Sequence, residues 1–376
     1  MKIVIVGTAR RVINFSNFLA NNKHEVHLIC TNNINLEELS NNVIIHKEFL
    51  GKINSKSLKK AIRIPIDFYT FKKTLKNTNP DILHAFFVPW NGWFSALSNK
   101  HPFVLTTMGS DINPAAGAYK NLLRRILTPY AIKKADVVTV VTSEGARFVK
   151  SVLPDYSPVY YRAGFNSNLF YKSEKSKVLL KELGFNVNDF VILSPRGMGQ
   201  LYNNTLIINA FSLVINSGLD DIKLVILGDH SNPNYKDYKN IVKELNIENY
   251  VVFPGKIAYE KMVDYYNLSD IIVSVPLADG FPATICESYA CSKPLIVSNT
   301  PGISDIFQDG KNGFIIDSKD KIALAENIIK LYEDKFIRYS ISDNNIKASK
   351  TLDINEMNQE ILKIYETLLQ SKSVLG

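Results

Sequence analysis

Asp279 and Glu287 stand eight positions apart in DGFPATICESYAC, across a change from loop to helix. Carboxylates beside a helix start can accept hydrogen bonds from sugar hydroxyls while the helix end itself faces an anion. Gly280, Phe281 and Pro282 make the loop, with Pro282 expected at the first helical position, where its missing N–H costs nothing. The backbone N–H groups from Ala283 through Thr284 to Ile285 are then expected as donors to a diphosphate on the positive end of the helix. Two acids taken alone would do no more than cap and solvate a helix, so the weight rests on their company. Arg196, in SPRGMGQLYNN, is the first companion. A guanidinium just after a strand suits a bidentate grip on phosphate oxygens.

These residues need elements that bring them together. DIIVSVPL before the loop and PLIVSN after the helix are β-branched runs of strand length, so strand, loop, helix and strand form a βαβ unit. In such open sheets ligands bind beyond the carboxyl ends of the strands. The rest of the chain repeats the alternation. KIVIVG, HEVHLIC, DILHAFF, PFVLTTMG and DVVTVVT read as strands in the first half, and VILSPRG, KLVILGD and YVVFPGK in the second. Two such series predict an α/β protein with two parallel sheets flanked by helices. The break falls in YYRAGFNSNLFYKSEKS, giving an N-terminal domain over 1–167, a second over 168–350 and a terminal helical segment over 351–376.

The block from Asp279 onward, followed by TPG and DGKNG, resembles the EX7E motif of the retaining glycosyltransferases of family four. That resemblance implies the GT-B fold, two facing Rossmann-like domains with a cleft between them, and a nucleotide diphosphate sugar as donor. It implies that Asp279 hydrogen-bonds the donor sugar and Glu287 the ribose. It places the donor diphosphate near Gly7, the nucleotide near Gly228 in LGDH, and the base on the backbone of Lys256 and Ile257 in FPGKI. Ala163-Gly164-Phe165-Asn166 resembles the family's linker, and the terminal segment is implied to pack back on the first domain. TTMGSDI resembles the family's acceptor-side T-x-H-G-x-D, leaving Asp111 to orient acceptor or donor sugar or else to cap its turn, while His84 matches a histidine near the cleft. The chain departs from the pattern at three places: Asp279 stands for Glu, Met108 for His, and Tyr202 lies where the family has a lysine. In the family the leaving phosphate is proposed to take the acceptor's proton, so a base at 108 is not required.

Composition bounds the alternatives. The chain has 376 residues, 46% of them hydrophobic, and only three cysteines, which gives no disulfide framework or zinc site and points to a reducing compartment. No DxD is present to hold a divalent ion on a diphosphate, so no metal and no cofactor are expected. MKIVIVG is a strand too short in its apolar run for a signal peptide, and a cytoplasmic enzyme follows. Residues 1–170 hold 22 Lys+Arg against 10 Asp+Glu, a net of +12, while 171–376 hold 22 against 26, a net of −4. The cations gather in 51–77 and 119–134 among Leu, Ile, Phe and Tyr, as on a surface that lies against anionic lipid on the inner face of a membrane, or simply on solvated helices. No nucleic-acid motif accompanies them. The readings are therefore a sugar transferase acting on a saccharide or lipid-linked glycan in surface polysaccharide synthesis, a nucleotide-sugar epimerase of the same fold, or a non-catalytic sugar-nucleotide or glycan-binding subunit.

Overall fold

The computed structural model describes residues 1–30, 38–46, 59–109, 111–112, 121–162, 164–279, 281–300 and 302–374, with the backbone alone at 59–62 and 372–374. The chain forms two compact units, Met1–Arg162 with Asn355–Gly376, and Ala163–Ile354.

The first unit is built on strands β1 (Lys2–Val6), β2 (Glu25–Ile29), β3 (Val43–His46), β4 (Ile82–Phe86), β5 (Phe103–Thr106), β6 (Val137–Val140) and β7 (Val159–Tyr160). Its helices are α1 (Arg10–Asn21), α2 (Lys59–Thr78), α3 (Trp93–Ser98), α4 (Leu122–Lys134) and α5 (Ser143–Val152). All pairings are parallel and the order is β3-β2-β1-β4-β5-β6-β7, so the winding reverses between β1 and β4. The strands are apolar on both faces because helices cover both, which is why they read as unbroken β-branched runs. One face packs Phe71 and Leu75 of α2 with Ala131 and Ile132 of α4. The other packs Phe15 and Leu19 of α1.

The second unit has β8 (Phe190–Ser194), β9 (Ile222–Ile226), β10 (Val251–Val252), β11 (Ile271–Ser274), β12 (Leu295–Ser298) and β13 (Gly313–Ile316). Around them lie α6 (Lys177–Glu182), α7 (Asn204–Asn216), α8 (Asn234–Glu244), α9 (Met262–Leu268), α10 (Ala283–Ala290), α11 (Lys321–Glu333) and α12 (Lys335–Ser349). The parallel order β10-β9-β8-β11-β12-β13 reverses between β8 and β11. A last helix, α13 (Ile354–Val374), returns to the first unit and places Ile361, Leu362 and Tyr365 in the core of Ile3, Ile5 and Leu28.

Strands β3, β7 and β13 are not among the apolar runs read from the sequence. All three are sheet edges of two to four residues, and an edge strand pairs on one side only, so its signal is short.

Candidate functional site

Arg196 leaves the sheet just after β8 and Asp279 follows β11, so both stand at the reversal of the second sheet. That is where an open α/β sheet forms its ligand crevice. The turn carrying Arg196 is pinned from below: Asn204 Nδ2 donates to the Gly197 carbonyl at 2.7 Å, and Tyr238 Oη donates to the Met198 carbonyl at 3.2 Å. Gly228 explains itself here. A Cβ at that position would stand 2.8 Å from Met198 N and 2.9 Å from Gly197 Cα, so only glycine lets the loop after β9 lie on the Arg196 turn.

The Arg196 guanidinium is held on three sides. One Nη donates to Asp279 Oδ2 at 2.5 Å, the other to Thr284 Oγ1 at 3.3 Å, and Cζ lies 5.0 Å from the centre of the Tyr202 ring. Tyr202, which occupies the place of the family's lysine, thus supports the arginine as an aromatic face. A guanidinium has five N–H donors, so two such bonds leave it capacity for phosphate.

Glu287 is buried on α10, a helix enclosed almost all round and built accordingly of small side chains and internally satisfied polar ones. Its Oε1 accepts from Tyr259 Oη at 3.1 Å and its Oε2 from Tyr266 Oη at 2.7 Å. Both tyrosine rings meet Phe170 edge-on, at 5.3 and 5.7 Å. Burial, with the Glu287 charge beside it, drives the Tyr266 hydroxyl well above its usual pKa, so it stays protonated and donates. The carboxylate is therefore oriented by these two hydroxyls before any ligand arrives.

The start of α10 differs from the sequence expectation in register. Pro282 is the N-cap and Ala283 the first helical residue. Ile285 N–H is not a donor for an anion, because it closes a turn onto the Pro282 carbonyl at 3.1 Å. Ala283 and Thr284 are the positions of the first turn that remain for that role. Thr284 meets the Arg196 guanidinium, and Phe281 follows Asp279 by two positions in the chain; Gly280 lies outside the described residues.

Lys256 and Ile257 line a cavity of about 440 Å³ with Ser176, Leu179, Asp264 and Tyr265. Their loop is tied to the Gly228 loop by a Gly228 N–H to Gly255 carbonyl bond of 3.1 Å. Tyr259, Tyr266 and Tyr202 are the residues that sequence reading missed. Aromatic residues at helical spacing look like core, and only their hydroxyls and faces disclose the role.

In the first unit, Gly7 closes β1 against Val12 and Phe86; a Cβ there would lie 2.8 Å from Val12 Cγ2. Asp111 is not at a surface. It is 1% exposed, its Oδ1 accepts from Met108 N–H at 2.9 Å and its Oδ2 from Val88 N–H at 2.8 Å. A carboxylate that binds two backbone N–H groups in this way fits the second of the two expected roles, capping its own turn. Burial raises its pKa to about 6. His84 is likewise a satisfied core residue, bound to Tyr365 Oη through Nδ1 and to Thr106 Oγ1 at 2.6 Å through Nε2.

Two doubly wound parallel units in one chain are the GT-B architecture, and solved structures of that class agree. HepE of Anabaena, crystallised with UDP, matches with a TM-score of 0.80 at 18% identity, over 98% of this chain and 100% of that one. The family described as glycosyl transferases group 1 matches residues 176–349, and that described as glycosyl transferase 4-like matches 2–143. One match falls in each unit, the family-four type fits both, and the chain is an enzyme of the glycosyltransferase class. Among curated relatives, the N-acetyl-alpha-D-glucosaminyl L-malate synthase of Bacillus anthracis is 22% identical over 93% of this chain and 90% of its own length. The N,N'-diacetylbacillosaminyl-diphospho-undecaprenol alpha-1,3-N-acetylgalactosaminyltransferase of Campylobacter jejuni is 24% identical over 81% of this chain and 82% of its own.

Proposed function

We propose that this chain transfers a sugar, with retention of configuration, from a nucleotide diphosphate donor to a saccharide or lipid-linked glycan in the synthesis of a surface polysaccharide. The observation that carries the reading is the Arg196–Asp279–Thr284 cluster at the sheet reversal, one helical turn from the preset Glu287. Arg196 would meet the diphosphate and take up charge as it leaves; Asp279 would accept from a donor-sugar hydroxyl; Glu287 would accept from the ribose. Loops at Gly228 and at Lys256–Ile257 would receive the nucleoside, and the leaving phosphate would take the acceptor's proton. No metal is needed in this scheme, since Arg196 and the start of α10 supply the positive field. The relatives' names support the acceptor class: one acts on a diphospho-undecaprenol glycan, and a capsular polysaccharide enzyme of Staphylococcus aureus is 25% identical over 48% of this chain.

The same reading places the first unit against an anionic lipid surface. Leu122, Leu123 and Ile126 of α4 and Ile66 and Tyr69 of α2 are all at least half exposed, among Arg63, Lys72, Lys73, Arg125, Lys133 and Lys134. No helix among the described residues is long and apolar enough to cross a membrane.

Thermal stabilisation by UDP-, GDP- and ADP-sugars tests the donor claim, since a ligand at 100 times its Kd adds about 2.7 kcal/mol. Glu287→Ala is expected to weaken nucleotide binding, and Asp279→Ala chiefly to lower turnover. Donor consumed by rearrangement without an acceptor, or binding with no turnover on any acceptor, would refute the transferase.

A further inference from the structure

Both tryptophans of the chain, Trp90 and Trp93, sit in or beside one short turn after β4. Its backbone is unusual. Phe87 has φ 79° and ψ 123°, and Trp90 has φ 63° and ψ −60°, conformations that bulky L-residues adopt only when their surroundings compel them. The compulsion is visible. Phe87 N–H donates to the Thr106 carbonyl at 3.0 Å, Val88 N–H to buried Asp111 at 2.8 Å, and Gly92 N–H to the Phe87 carbonyl at 3.1 Å. Asn91 Nδ2 adds a bond of 2.7 Å to the Phe86 carbonyl.

What this arrangement achieves is not burial. Phe86, Val88 and Pro89 are buried, yet Phe87 between them is 38% exposed. Trp90 rests one edge on Phe94, with ring centres 5.8 Å apart, and keeps part of its surface exposed. The turn stands where the first sheet reverses between β1 and β4, and Gly7 at the end of β1 is so close that a Cβ on it would lie 3.3 Å from Phe86 Cβ. Two aromatic side chains, one exposed and one part-exposed, thus stand at the carboxyl end of β4, where open α/β sheets take ligands. A pyranose offers the matching chemistry, an apolar C–H face for the ring and hydroxyls around its edge for water and polar groups.

We propose that the Phe87–Trp90 turn is the platform on which a pyranose ring of the acceptor stacks, with Asp111 as the positioning residue that holds the turn. The proposal rests on the transferase reading for calling the sugar an acceptor, but sugar binding at the turn is tested separately from transfer.

The full chain carrying Trp93→Phe has Trp90 as its single tryptophan. Titrated with methyl glycosides of glucose, galactose and their N-acetylamino forms, its emission is expected to shift saturably and acrylamide quenching to fall. Phe87→Ala is expected to weaken that binding roughly three- to tenfold and Phe87→Tyr to restore it. Asp111→Asn is expected to weaken it while UDP still binds. Phe87→Gly is the sharpest variant: it relieves the backbone, so its Tm should rise while sugar binding is lost. A turn that served only folding would give the opposite, a lower Tm with sugar response unchanged, and that result overturns the proposal. So does a Trp90 signal indifferent to every glycoside in protein that binds UDP. A sugar response that survives in protein unable to bind any nucleotide would sink the transferase reading and leave the platform standing. If Trp93→Phe does not fold, saturation-transfer NMR of the same glycosides on the wild type and on Phe87→Ala reads the same contact.

Discussion

Arg196 carries one positive charge and, ahead of any donor, shares it with Asp279 at 2.5 Å, with both side chains more than four-fifths buried. A diphosphate entering the crevice competes with that carboxylate for the guanidinium. Asp279→Asn removes the competitor while keeping its shape. Free UDP is therefore expected to bind roughly three- to tenfold more tightly to Asp279→Asn than to wild type, even as transfer slows, and isothermal titration reads both constants. Equal or weaker UDP binding would show that the pair does not stand in the ligand's way. Arg196, Asp279 and Glu287 were singled out in the sequence by their company and by the motif it resembles, since a lone charged group would only solvate a helix. The structure brings Arg196 and Asp279 together. Tyr202, Tyr259 and Tyr266 were not, since their work depends on which hydroxyl or ring face meets the charge. Asp111 was left between two roles for the converse reason: a loop carboxylate gives no sign in sequence of whether its oxygens face water or its own backbone.

At the scale of elements, the strands and the helix α10 followed from apolar runs and loop punctuation, while the start of α10 shifted by a residue and three of the four edge strands, β3, β7 and β13, went unseen. Element contacts that depend on distant sequence were the least readable. His84 on β4 and Tyr365 on α13 are joined across 281 positions, and burial depresses the imidazole from 6.5 to about 3. The unfolded chain takes a proton at His84 below about pH 6.5, whereas the folded chain refuses it until about pH 3. The stability that this neutral histidine contributes is therefore complete above pH 6.5 and is lost as pH falls towards 3, by up to roughly 5 kcal/mol. Denaturant titrations from pH 7 to 4 are expected to show that slope in the wild type and a flatter one in His84→Gln. Parallel slopes would remove His84 from the account. The strained turn after β4 belongs to this scale too: two residues at positive φ each cost about 1–3 kcal/mol, which the bonds from Asp111, Asn91 and Thr106 offset.

For the whole molecule, the charge division is the property that sequence shows most directly, since counting residues needs no fold. What it could not show is that α2 and α4 pack on one core and so turn their basic, apolar outer faces to the same side of the first sheet. Each Lys or Arg near an anionic bilayer contributes about 1 kcal/mol, and the exposed leucines and isoleucines add burial in the interface. Co-sedimentation is expected with vesicles of phosphatidylglycerol and not of phosphatidylcholine, to fall as salt rises from 50 to 500 mM, and to drop about tenfold in Leu122→Ser/Leu123→Ser/Ile126→Ser. Equal binding to both vesicles would exclude the surface as a lipid contact.

The return of α13 to the core of Ile3, Ile5 and Leu28 has a consequence in time. Synthesis delivers the first unit's strands before Ala163–Ile354 and Asn355–Gly376 only after it. Ala163–Ile354 is continuous and complete sooner, so the part of the chain made second is able to finish folding first. Until α13 emerges, the part of the first sheet's apolar face which Ile361, Leu362 and Tyr365 cover waits in water, with α1 packed beside it.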